Sequence, residues 1–200
     1  MSDGIILGVA LLLLLALGSD EPTQAAPPVE SDVEKPTTVR IASEYSRDEL
    51  EQLVVTCCAA VGASASVLAA HCDIETAGWD ASAANLVGGD GARGGAYGIP
   101  QITLRTARAV DDRVGTNWQE LDPGRTGDSL LAHPELAILL AAHLVAENEA
   151  RVRRAGGTVQ DVASLYNSGR FLREAPSSTR AYVEKFMRAY EARVGSRAWS

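Results

Sequence analysis

The stretch S-V-L-A-A-H-C-D-I-E-T-A-G, Ser66 to Gly78, decides how this chain is read. Ten residues of small and aliphatic side chains predict a helix over Ser66 to Thr76 that is apolar nearly all round, stopped by Gly78 as a C-terminal glycine. Its last carboxylate is Glu75, at the far end, with no Lys or Arg between Gln52 and Ala92 to pair with it in sequence. Burial raises a carboxyl pKa by disfavouring the charged form, and the negative end of a helix acts in the same direction. A carboxylic acid that keeps its proton near neutral pH is what general acid catalysis needs. Alone, a Glu near a helix end is ordinary surface chemistry, so the case rests on what surrounds it.

Upstream, Ser46-Arg-Asp-Glu49 is a capping box, and Leu50, Leu53, Val54, Cys57 and Val61 follow at helical spacing. Downstream, residues 77–102 are rich in Gly, Ala and Asn and hold whatever extended structure the domain has. Thr103 caps a short helix expected to end near Val110. An irregular stretch with Asn117-Trp118 and Asp122-Pro123-Gly124 comes next. His133-Pro134-Glu135 opens the longest helix, which ends before Gly156-Gly157. Thr158 to Leu165 forms another helix, and Ser177 or Ser178 caps a last one reaching about Val194. The expectation is a mainly α domain over residues 47–200 with one loop-rich, minimally β insert.

Two segments precede that domain. Gly4 to Gly18 is an almost unbroken apolar run of about 15 residues, short of the 20 or so that span a bilayer comfortably. It suits an uncleaved N-terminal anchor or the core of a signal peptide, although the Met-Ser-Asp start lacks a positive n-region. The first basic side chain is Lys35, so flanking charge gives no orientation. Residues 1–18 are therefore read as a membrane anchor or signal segment, with residues 4–18 as the membrane contact. Residues 19–46, with Pro22, Pro27, Pro28 and Pro36 among Glu, Asp, Ser and Thr, form an acidic, disordered linker whose job is reach.

The net charge of −8 is uneven: the linker has six acids against two bases, the domain nineteen against sixteen. The domain is near neutral, and the Arg151, Arg153, Arg154 cluster reads as the favourable last turn of a helix, not a nucleic-acid surface. Cys57, Cys58 and Cys72 are too few for a disulfide framework; they read as buried thiols on two packed helices, or as one disulfide from Cys72 to Cys57 or Cys58. No metal-ligand spacing recruits His71, His133 or His143, which read as core or surface histidines, and no cofactor is implied. Gly89-Asp-Gly91-Ala-Arg-Gly94 spells a dinucleotide fingerprint but lacks the preceding strand and following helix.

Four signals in order bear on function: Glu75-Thr76, then Gly98-Ile99-Pro100-Gln101, then Tyr166-Asn167-Ser168-Gly169, then Tyr182 in A-Y-V-E-K-F. In this order and at these separations they resemble the lysozyme-like lytic transglycosylases, enzymes that cut the glycan strands of bacterial peptidoglycan, over roughly Arg47 to Val194. The resemblance implies a lysozyme-like helical fold with Glu75 as catalytic acid, then base. It implies substrate contacts from Thr76, Gln101, Tyr166 and Asn167, and support from Tyr182. Thr76 replaces the family's Ser, and Pro100 its Met, which removes a backbone donor. Such enzymes break the β-1,4 bond between N-acetylmuramic acid and N-acetylglucosamine, and the substrate's own 6-hydroxyl closes a 1,6-anhydro ring. A hydrolase generally needs a second carboxylate. Related goose-type lysozymes carry an Asp in a comparable Gly-rich insert, where Asp90 falls here, so a muramidase using Asp90 is the alternative. A catalytically silent wall-binding protein is a further one. The setting implied is a membrane-tethered domain facing the cell wall, in the envelope or in a virion or envelope-spanning assembly.

Overall fold

The computed structural model describes residues 45–76, 78–85 and 95–195. The apolar segment 4–18, the linker as far as residue 44, and Asp90 lie outside the described residues. Among the described residues, no helix is long and apolar enough to cross a membrane.

Mainly helical architecture follows from the chain's caps. The Ser46 backbone N–H donates to Glu49 Oε2 (2.8 Å) while the Glu49 N–H donates to Ser46 Oγ (3.3 Å), which closes the capping box and starts α1 (Arg47–Val61). Gly62, at φ 72°, ends α1 in the left-handed conformation that glycine adopts without steric cost. The central element is α2 (Ala65–Glu75). It begins and ends one residue earlier than the sequence predicts, because Thr76 turns to extended backbone as the C-cap, ahead of Gly78. Every residue from Ser66 to Cys72 is buried. A helix apolar on all sides belongs inside a bundle, and α2 is packed against α1, α6 (Pro134–Arg154) and, most extensively, α8 (Ser177–Val194).

The insert folds as an antiparallel sheet of three two-residue strands, β1 (Ala84–Asn85), β2 (Ala96–Tyr97) and β3 (Ile102–Thr103), in the order β1-β2-β3. Ala84 pairs with Tyr97 and Asn85 with Ala96; Ala96 also pairs with Thr103 and Tyr97 with Ile102. Thr103 accepts a hydrogen bond from the Thr106 N–H, so it caps α3 (Leu104–Val114) as expected, but α3 runs a turn past Val110 to Gly115. The stretch expected to be irregular contains two short helices, α4 (Trp118–Leu121) and α5 (Gly127–Ala132). Their anchor is fully buried Trp118, whose indole N–H donates to Ser129 Oγ at 2.7 Å.

α6 begins with Pro134 and ends with Arg151, Arg153 and Arg154 in its last turn. α7 (Val159–Ser168) continues past the expected end at Leu165, so Tyr166 and Asn167 lie on its last turn instead of in a loop, and Gly169 at φ 70° is the cap. Ser177 and Ser178 are not the caps expected: Pro176 occupies the cap position of α8 and both serines are helical. Cys57 and Cys58 of α1 and Cys72 of α2 are buried free thiols, so the packed-thiol reading stands and the disulfide does not. Burial pushes the Cys58 thiol up to about 12.

Candidate active site

Glu75 is the last residue of α2, half-buried beside a cavity of about 190 Å³. Asn85, Ala96, Gln101, Ile102, Thr103, Thr106, Leu144, Tyr166 and Asn167 complete the lining. A second cavity of about 570 Å³ shares Thr103, Thr106, Leu144, Tyr166 and Asn167 with it and extends to Arg105, Arg113 and Arg151. Together they make one groove running from Glu75 between α3, α6 and α7. Among the described residues that line the groove, Glu75 is the one carboxylate.

Burial raises the Glu75 pKa, opposed by a hydrogen bond from the Tyr182 hydroxyl. Two residues earlier, Asp73 has the opposite setting. Its oxygens take Arg193 Nη2 at 2.7 Å, Arg193 Nε at 2.8 Å and the Trp79 indole N–H at 2.8 Å, with Arg47 at 3.5 Å. Burial works against ionisation there too, but the Arg193 and Trp79 hydrogen bonds and the two guanidinium charges outweigh it, and the pKa is lowered.

The loop after β2 is fixed by its own hydrogen bonds. Gln101 has φ 46°, a left-handed backbone that costs a non-glycine residue of order 1–3 kcal/mol. Its Nε2 donates to the carbonyls of Ala83 (3.1 Å) and Gly98 (2.8 Å), which commits both amide hydrogens to the loop. Only the Oε1 acceptor is left for a ligand. Pro100 lacks an N–H, yet its carbonyl accepts the Tyr166 hydroxyl at 2.8 Å. Tyr166 therefore presents its ring, not its hydroxyl, to the groove. Asn167 lines both cavities and accepts from Thr179 Oγ1 at 3.0 Å.

Thr76 departs furthest from expectation. Its buried hydroxyl donates to the carbonyls of Cys72 (3.3 Å) and Ile99 (3.4 Å), and it is not among the groove's lining residues. The Cys72 carbonyl already accepts the Thr76 N–H at 3.1 Å, so what the hydroxyl adds is the reach to Ile99, which braces the end of α2 against the Gly98 loop. Glu75, Gln101, Tyr166, Asn167 and Tyr182 are brought together; Thr76 stands behind them.

Sequence reading missed His71. It is fully buried, its Nδ1 lies 2.7 Å from the Tyr182 oxygen, and its ring stacks on Tyr166 at 3.9 Å between centroids. The available signal was its position four residues before Glu75, which puts both side chains on one face of α2.

No protein-family model matches this chain, no curated protein matches it in sequence, and no solved structure matches it.

Proposed function

We propose that the domain cleaves the β-1,4 glycosidic bond between N-acetylmuramic acid and N-acetylglucosamine in peptidoglycan, as a lytic transglycosylase with Glu75 as acid and then base. The observation that carries this reading is the setting of Glu75: a half-buried carboxyl with a raised pKa, beside a groove, held by a neutral phenol. Such a group keeps its proton where an exposed carboxyl has lost it, and can deliver it to a leaving glycosidic oxygen. The two cavities join through five shared lining residues, which suits a polymer bound across them. Gln101 Oε1 and Asn167 supply polar contacts, and the Tyr166 ring supplies an apolar face for a sugar. Without a second carboxylate among the described lining residues, ring closure by the substrate's own hydroxyl is the economical route, with Glu75 taking that hydroxyl's proton.

One observation favours the hydrolytic alternative. Asn85 and Gly95, which flank the segment carrying Asp90, both line the groove. A water activated by Asp90 would then attack in place of the 6-hydroxyl. Mass spectrometry of muropeptides released by the full chain from purified peptidoglycan separates the readings. Products with 1,6-anhydromuramic ends, one water lighter than hydrolysis products, are expected, and Asp90→Asn is then nearly silent. Reducing ends, with a loss of several orders of magnitude in Asp90→Asn, would establish the hydrolase. Binding to peptidoglycan without release would establish the wall-binding protein.

A further inference from the structure

His71 is hydrogen-bonded to Tyr182, the phenol that faces Glu75, and the direction of that bond has a consequence for where the acid's proton sits. The His71 Nδ1 and the Tyr182 oxygen are 2.7 Å apart, and the Tyr182 hydroxyl is placed to donate to Glu75. The other ring nitrogen of His71, Nε2, is buried with no hydrogen-bond partner. Tyr166, Tyr182 and Phe186 pack around the imidazole, at centroid distances of 3.9, 5.9 and 4.6 Å.

A neutral imidazole carries one N–H, on either nitrogen. With the proton on Nε2, a buried donor would have nothing to bond, an arrangement rare in folded proteins; a bare lone pair facing apolar rings is better tolerated. With the proton on Nδ1, the imidazole donates to the Tyr182 oxygen, and the Tyr182 O–H is free to donate onward to Glu75. When Glu75 is ionised it can only accept, so this direction is required. When Glu75 is protonated, two directions are open in principle: Tyr182 could donate to Glu75 or accept from it. The second would turn the Tyr182 O–H onto His71 Nδ1 and force the imidazole proton onto the orphaned Nε2.

We propose that His71 is a positioning residue that fixes the chain in the order His71 to Tyr182 to Glu75 in both protonation states of the acid. The carboxyl oxygen held by Tyr182 then never carries the proton. The transferable proton sits on the other oxygen, the one not held by Tyr182, where it is available to a bound substrate. Burial supports the neutral form of the imidazole by lowering the His71 pKa to about 3. The ionisable groups that face the chain are Glu75 and Cys72 of α2, Cys58 of α1, and the two phenols of α7 and α8. Burial raises the thiols and phenols alike, so Glu75, itself raised by burial, is the member of this set whose charge changes first as pH rises.

The role in positioning the proton rests on the proposed glycan cleavage; the direction of the chain does not. Nitrogen NMR of the ¹⁵N-histidine-labelled full chain, with His71 assigned by its absence in His71→Phe, reads the tautomer directly. The expected result is a protonated Nδ1 and a bare Nε2 that stay unchanged over roughly pH 5 to 8, the range in which free imidazoles titrate. A proton on Nε2, or a switch of tautomer as Glu75 titrates, would overturn the proposal. A second readout is kinetic. His71→Phe and Tyr182→Phe each break the chain while keeping an aromatic ring. Each is expected to lower kcat roughly 10- to 100-fold with KM little changed, less than removing the acid itself. The double variant is expected to be no slower than the worse single one, and His71→Asn, which restores a donor, to recover part of the loss. Losses that multiply in the double variant would assign the two residues separate, structural roles. If the wild-type protein cleaves no glycan, the cleavage reading falls while the tautomer still decides the chain.

Discussion

Asp73 and Glu75 stand two residues apart on the last turn of one buried helix, and their chemistry is opposite. Asp73 faces Arg193 of α8, Arg47 of α1 and the Trp79 indole, and its pKa is lowered. Glu75 faces a phenol and a groove, and its pKa is raised. Burial pushes both the same way; what separates them is whether the facing element brings a cation. α8 supplies both partners, Tyr182 to one carboxylate and Arg193 to the other, eleven residues or about three turns along the same helix. One helix–helix contact thus makes a locked ion pair at one end and a proton-bearing acid at the other. The ion pair is expected to hold the register that brings Tyr182 to Glu75.

Glu75→Gln makes the sharpest break in this comparison. It preserves shape and removes the transferable proton, so glycan release is expected to fall by about 10²- to 10⁴-fold, the usual contribution of a general acid, with the fold intact. Release of muropeptides at the wild-type rate would dissociate Glu75 from the chemistry. Arg193→Met acts on the other carboxylate. Arg193 is buried, and its loss leaves Asp73 charged with only Trp79 and the more exposed Arg47 as partners. A loss of about 2 kcal/mol in denaturant-determined stability is expected, below the 3–5 kcal/mol of a fully buried pair. Activity per folded molecule should fall less than in Tyr182→Phe. An Arg193→Met protein as stable as the wild type would remove the register role.

Much of the helical frame was legible in the chain because its signals are local. The Ser46 box, Thr103 and Pro134 each act on backbone groups within a few residues, and each stands where its chemistry predicts. Helix ends drifted where tertiary contact adds turns. α3 runs on past Val110 to Gly115, and α7 gains the turn that holds Tyr166. At the candidate site, sequence could name residue types but not the direction of their hydrogen bonds. Thr76 and Tyr166 point their hydroxyls at the loop carbonyls of Ile99 and Pro100, and Gln101 spends its amide on the loop, because a tight turn at φ 46° exposes carbonyls that need donors. The Asp73–Arg193 pair spans 120 residues, and His71 meets Tyr182 across 111. No window along the chain contains either pairing.

Stability against pH gives the finest test, because the two carboxylates contribute with opposite sign. The lowered Asp73 pKa gives stability that is present above the usual aspartate range and is lost as pH falls through the folded value. Asp73→Asn is therefore expected to lose stability at neutral pH and to converge on the wild type in acid. Glu75 works the other way. Its folded pKa lies above that of the unfolded chain, so the folded state holds a proton that the unfolded state has released, and stability declines as pH rises through that interval. Glu75→Gln, fixed in the neutral form, is expected to match the wild type below the usual glutamate range and to exceed it modestly at neutral pH. Thermal melts of the two variants over that range should diverge from the wild type in opposite directions as pH rises. If Glu75→Gln is no more stable than the wild type at neutral pH, the groove hydrates Glu75 as water does, and the feature that marks it as an acid is lost. If it is more stable, the fold is carrying an unfavourable carboxylate that packing alone gives no reason to keep.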